Sequence, residues 1–168
     1  MIPFCGYDDC SIDCNGRIKL SPAVIADFGG NGASVVMRCL PEGAIGVYSE
    51  SVFSRMRQAE TEKSLSEVAM SVLYRRNLRV LNAMSQPAEI SPQGRITLPV
   101  KFRHHAKLDE APEAVVVGVE IGVEIWSAQM WHEEEARMLS HLQTRNEIEM
   151  QADLDTFNIK TSGKEENK

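Results

Sequence analysis

One ten-residue segment occurs twice in this 168-residue chain, and the recurrence limits the possible folds more than any other feature. The first copy reads Ser11-Ile12-Asp13-Cys14-Asn15-Gly16-Arg17-Ile18-Lys19-Leu20 and the second Glu89-Ile90-Ser91-Pro92-Gln93-Gly94-Arg95-Ile96-Thr97-Leu98. Arg17 and Arg95 are 78 positions apart, and the same offset joins Tyr48-Ser49 to Trp126-Ser127 and Phe53 to Trp131. A fixed period in sequence means a repeated supersecondary unit. A chain that presents one arginine-tipped turn twice suits contact with a repetitive partner better than assembly of a single catalytic pocket.

Each copy reads as strand, tight turn, strand. Asp13 or Ser91 at the first turn position and Gly16 or Gly94 at the fourth suit a type I turn, and Pro92 at the second strengthens the later copy. The outgoing strand then places Ile18 and Leu20, or Ile96 and Leu98, on one face, with Lys19 or Thr97 pointing the other way. A second strand pair follows in each repeat. Ser34 to Met37 goes with Gly46 to Tyr48, and Ala114 to Val119 with Val123 to Trp126, on the strength of their β-branched residues. Ser49 and Ser127 are the expected N-caps of a helix closing each repeat, with its apolar residues toward the sheet.

Between the repeats the spacing predicts one helix over roughly Leu65 to Met84. It opens with a capping box of Ser64 and Glu67 and carries an apolar stripe of Leu65, Val68, Ala69, Val72, Leu73, Val80, Leu81 and Met84. Arg75, Arg76 and Arg79 fall largely off that stripe, either as a solvated face or as a nucleic-acid contact. The polar, Lys/Glu-rich segment from Thr161 onward is expected to be disordered.

The net charge of −6 hides an uneven distribution. Residues 1–107 carry 13 Lys/Arg against 10 Asp/Glu, and residues 108–168 carry 5 against 14. No acid occurs from Ser91 to Leu108, where Arg95, Lys101, Arg103 and Lys107 gather beside His104 and His105. Local field, not net charge, decides whether phosphate is attracted. Cys5, Cys10, Cys14 and Cys39 contain no C-x-x-C pair, so reduced thiols are expected and no metal. Met1 to Gly6 has neither a basic start nor an apolar stretch, and no apolar run approaches the roughly 20 residues that span a bilayer. The expected location is the cytoplasm.

This layout resembles the MraZ family of the SpoVT/AbrB superfamily, over the stretch from about Tyr7 to Glu135. The resemblance rests on the duplicated Asp-x-x-x-Arg signature with Gly before Arg, on Leu98-Pro99-Val100-Lys101-Phe102-Arg103, on Val123-Glu124-Ile125-Trp126 leading to Trp131, and on the Arg-rich connecting helix. It implies an α+β fold: a duplicated SpoVT/AbrB-like interlaced β-hairpin (swapped-hairpin) barrel with flanking helices. The first repeat would occupy 7–59, the connecting helix 60–84, the second repeat 85–140, and the helix end with a disordered tail 141–168. The resemblance further implies a sequence-specific transcriptional regulator that binds double-stranded DNA as a ring-shaped homo-oligomer. Its sites would be short G-rich direct repeats upstream of the division and cell-wall gene cluster, with repression the usual outcome and nucleoid association. Each signature turn, with Asp13, Arg17 and Arg95, would face DNA, and Lys19, Lys101 and Arg103 complete the expected DNA-binding set. No cofactor, metal, membrane or small-molecule substrate is implied.

An arginine guanidinium can donate two hydrogen bonds to guanine or grip phosphate with the same fork. Nothing in the turn geometry requires arginine in both copies, so both arginines read as functional. Asp13 either bonds the backbone of its own turn or orients Arg17. Two departures from the family pattern stand out. Ser91 replaces the second Asp, and Ser21-Pro22-Ala23-Val24-Ile25 replaces a proline followed by Lys and Arg. The second repeat, through Arg95, is therefore expected to contribute more. The competing reading is a non-DNA oligomeric scaffold, favoured by the acidic C-terminal part. Catalysis through His104, His105 and a cysteine is not expected, and the chain has no P-loop, G-x-G-x-x-G or H-E-x-x-H motif.

Overall fold

The computed structural model describes residues 2–60 and 65–162. The chain divides into two units, one ending at Met130 and the other beginning at Trp131. The first repeat runs β1 (Tyr7–Ser11), β2 (Arg17–Lys19), α1 (Pro22–Asp27), β3 (Ser34–Cys39), β4 (Ile45–Ser49) and α2 (Glu50–Glu60). Two connecting helices follow, α3 (Leu65–Met70) and α4 (Val72–Ala83). The second repeat runs β5 (Ser85–Glu89), β6 (Arg95–Thr97), α5 (Val100–His105), β7 (Glu113–Gly118), β8 (Val123–Ser127) and α6 (Ala128–Ser162). The mixed α+β class with antiparallel sheets agrees with the sequence reading.

Hydrogen bonding exchanges strands between the repeats. In the six-stranded sheet, ordered β1-β7-β8-β4-β3-β5, strand β1 of the first repeat pairs with β7 of the second. Reciprocally, β5 of the second repeat pairs with β3 of the first. The two hairpins meet at the centre, where β4 lies antiparallel to β8 with Gly46 opposite Glu124. The remaining strands, β2 and β6, form a separate two-stranded ribbon. The repeats therefore share one core, in which Ile18, Ile96, Leu20, Leu98, Val35, Met37, Ile45, Val47, Val123 and Ile125 are all buried. Inward alternation of the strand residues produces this core.

Ser49 and Ser127 cap their helices as expected, accepting from the amides of Val52 and Met130 at 3.3 Å each. The connecting helix is not continuous. Ser71 takes an extended conformation and its hydroxyl accepts from the Tyr74 amide at 3.2 Å, so it ends α3 and caps α4. Ser offers the backbone this alternative bond, and the apolar stripe alone gave no sign of it. The expected stripe holds only in part: Val68, Leu81 and Met84 are half-buried, but Val72, Leu73 and Val80 are exposed, and Tyr74 and Leu78, outside the stripe, are half-buried. Ser64 of the expected capping box lies outside the described residues.

Helix α6 runs through Thr161 to Ser162, so those two residues, expected in a disordered tail, are helical. Side-chain pairs one turn apart, such as Arg145–Glu149 at 2.8 Å and Gln151–Asp155 at 2.9 Å, support its exposed middle. The rest of the expected tail, 163–168, lies outside the described residues. No described helix is long and apolar enough to cross a membrane.

Candidate nucleic-acid interface

Both turns close in the same way. Gly16 donates to the Asp13 carbonyl at 2.9 Å, and Gly94 to the Ser91 carbonyl at 2.8 Å. Both glycines sit at positive φ, +75° and +71°, where an L side chain is strained. The space beneath each is also taken. A Cβ at Gly16 would stand 3.0 Å from Arg103 Nε, and one at Gly94 would stand 2.5 Å from Ile25 Cδ1. Arg103 and Ile25 are equivalent under the 78-residue offset, so each repeat's short helix supports the other repeat's turn.

The ribbon joins the turns. Leu98 donates to the Gly16 carbonyl at 2.7 Å and Leu20 to the Gly94 carbonyl at 2.9 Å, closing its two ends. Ile18 and Ile96, both 0% exposed, are paired at its centre and point inward. Alternation turns the flanking residues outward: Arg17 opposite Thr97, and Lys19 opposite Arg95. Directly opposed residues in such a pair have Cβ atoms about 4.5–5.5 Å apart, and diagonal neighbours such as Arg17 and Arg95 about 7–8 Å. Two segments far apart in sequence thus bring three cations onto one outer face.

Asp13 has both roles that the sequence left open. Its Oδ1 accepts from the amides of Asn15 and Arg17 at 2.9 Å each, and its Oδ2 accepts from Arg17 Nε at 3.1 Å. The Arg17 amide, aided by the Asn15 amide and the Arg17 side chain, holds the Asp13 carboxyl below its ordinary range. In the second turn the Ser91 hydroxyl takes over only the backbone part, accepting from the Arg95 amide at 3.0 Å. The Arg95 guanidinium has no partner among the described residues.

The other expected residues are spread more widely. Lys19 donates to the Gln93 carbonyl, across the ribbon at the second turn. Arg103 is half-buried beneath the first turn, with its Nε lacking a partner among the described residues. Lys101 reaches the Ala83 carbonyl at the end of α4, where a cation complements the helix dipole. His104 Nδ1 lies 2.9 Å from Asp109 Oδ2, and this pairing raises the His104 pKa. His105 Nε2 lies 2.8 Å from the Leu40 carbonyl. Alternation had turned Thr97 outward, but its place opposite Arg17 and the Gln93 carbonyl's place beside Lys19 emerge only from the β2–β6 pairing.

Comparison with known proteins adds the family. The family model described as "MraZ protein, putative antitoxin-like" matches residues 86–153. A protein of Mycobacterium ulcerans named "Transcriptional regulator MraZ" is 33% identical over 132 residues, covering 77% of this chain and 85% of the relative. This chain belongs to the MraZ family. A Desulforamulus reducens relative of the same name is 38% identical over 81 residues, 48% of this chain. One from Symbiobacterium thermophilum is 50% identical over 45 residues, 27% of this chain. The chain spans only 56% and 31% of the length of these last two MraZ proteins.

Proposed function

We propose that this chain is a sequence-specific DNA-binding transcriptional regulator whose β2–β6 ribbon meets the duplex. One observation carries the reading: Lys19 stands directly opposite Arg95, with Arg17 on the diagonal, on the exposed face of a two-stranded ribbon. Like charges directly opposed across strands are destabilising, so a face built this way is stabilised by an anion. The major groove of B-DNA admits a two-stranded ribbon, and arginine there can discriminate guanine. The name shared by the three relatives, transcriptional regulator, supports the same function. The strand exchange between repeats supports the swapped-hairpin barrel of the superfamily, with repeats at 7–59 and 85–140. Lys101, at the end of α4, and Arg103, beneath the first turn, are proposed as further contacts.

The finer reading is repression of the division and cell-wall gene cluster from short G-rich direct repeats, by a cytoplasmic, nucleoid-associated ring of identical subunits. Self-association is supported by the apolar side chains left exposed on α3 and α4, namely Met70, Val72, Leu73 and Val80. A non-DNA scaffold shares that surface but gives no role to the cationic ribbon. Retention on a duplex from the region upstream of the chain's own gene tests the reading. Binding should fall steeply with salt, by a slope of about −0.9 for each phosphate neutralised. A footprint should cover repeated sites, and light scattering should give a multiple of the protomer mass. Salt-insensitive retention, or none, contradicts DNA binding, and a monomer at working concentration contradicts the ring.

A further inference from the structure

The two ends of the ribbon are chemically unequal, although the repeats are equivalent. Arg17 is held at three points of its turn: its carbonyl accepts from the Asp13 amide at 2.9 Å, and its amide and Nε both donate to the Asp13 carboxylate. Its two terminal nitrogens have no partner among the described residues, and the Nε bond fixes their plane. A guanidinium already oriented loses less side-chain entropy when it makes a two-pronged contact, and pre-organisation of this kind strengthens a contact whose geometry must be right. The pair is also accessible, with side-chain exposures of 38% for Arg17 and 36% for Asp13. At the other end Ser91 supplies an acceptor for the Arg95 amide and nothing for its Nε. Arg95 stands opposite Lys19, and neither forms an ion pair with a carboxylate among the described residues. A phosphate accepts such a pair from many directions and carries no sequence information.

We propose that Asp13 is a positioning residue that makes Arg17 the base-discriminating arginine, while Arg95 with Lys19 supplies sequence-independent attraction to phosphate. This division rests on the DNA-binding reading above. It reverses the weighting that charge density alone gives to Arg95: density sets attraction, whereas discrimination requires a fixed direction.

The test uses the full chain and a duplex enriched by it from a random library, with a shuffled duplex of equal length and composition as reference. The readout is the ratio of the two affinities. Arg17→Lys and Asp13→Ser should each lower that ratio about tenfold or more, the scale of losing a bidentate guanine contact. Arg17→Lys keeps the charge and Asp13→Ser removes a carboxylate, so the ratio should fall through lost affinity for the selected duplex, not through a general loss of attraction to phosphate. Arg95→Ala should weaken both duplexes alike and reduce the salt slope by about one. Ser91→Asp, which gives the second turn the carboxylate of the first, should raise the ratio. Thermal melting of each variant confirms that the fold is intact, and Arg17→Lys keeps the charge if Asp13→Ser lowers stability. An unchanged ratio in Arg17→Lys and Asp13→Ser overturns the proposal, as does an equal fall in the ratio for Arg95→Ala. Failure of the wild-type chain to enrich or retain any duplex overturns the DNA-binding reading itself.

Discussion

Protonation of Asp13 is the smallest change that separates the two turns. Its amide donors and the Arg17 guanidinium favour the carboxylate, so its pKa is lower in the folded chain than in the unfolded one. A depressed carboxyl stabilises the fold fully above the unfolded value of about 3.9, and that contribution is lost as pH falls through the lower folded value. Asp13→Asn mimics the protonated form. The stability gap between wild type and this variant should be constant near neutrality, shrink below about pH 4 and close in stronger acid. A gap that persists unchanged into strong acid contradicts the ionic role. The turn residues at this scale were legible in the sequence, because Gly16, Gly94, Asp13 and Ser91 follow local rules of backbone geometry. The seat of Arg103 beneath Gly16 was not, since it depends on which strand lies beside which.

The ribbon is the element on which fold and site coincide. Ile18 and Ile96 anchor its inner face in the shared core, and the same three-residue strands display Arg17, Lys19 and Arg95 outside. Ile18→Ala or Ile96→Ala should cost about 2–5 kcal/mol, as for other fully buried large-to-small changes. Because the strands are short and paired across repeats, either variant should also weaken DNA retention without touching a cation. Retention unchanged alongside a full stability loss would separate the site from the ribbon's packing. Strand alternation let the sequence assign the inward isoleucines and the outward Lys19. It gave no register between β2 and β6, so Lys19 opposite Arg95 emerged only in the structure. The break at Ser71 was hidden for a different reason. An apolar stripe crosses a capping serine without interruption, and the half-burial of Tyr74 and Leu78, outside that stripe, follows tertiary packing instead.

At the scale of the whole molecule, the acidic total and the cationic face are compatible because they occupy different parts of the chain. All of the acid excess lies in residues 108–168, which include α6, while the ribbon face carries Arg17, Lys19 and Arg95, with Asp13 paired to Arg17. Screening over about 8 Å at physiological salt makes the nearby charges count most. The sequence repeat foretold two units of one kind, but their interlacing into a common core followed from pairings between segments dozens of residues apart. The proposed DNA interface is the outer face of the β2–β6 ribbon. Its most direct test is a salt titration of duplex binding by the wild type and by the Arg17→Ala/Lys19→Ala/Arg95→Ala variant, both confirmed as folded by circular dichroism. The variant should lose specific binding, with a salt slope shallower by about one for each cation removed from a phosphate contact. Wild-type affinity and slope in the triple variant would contradict it.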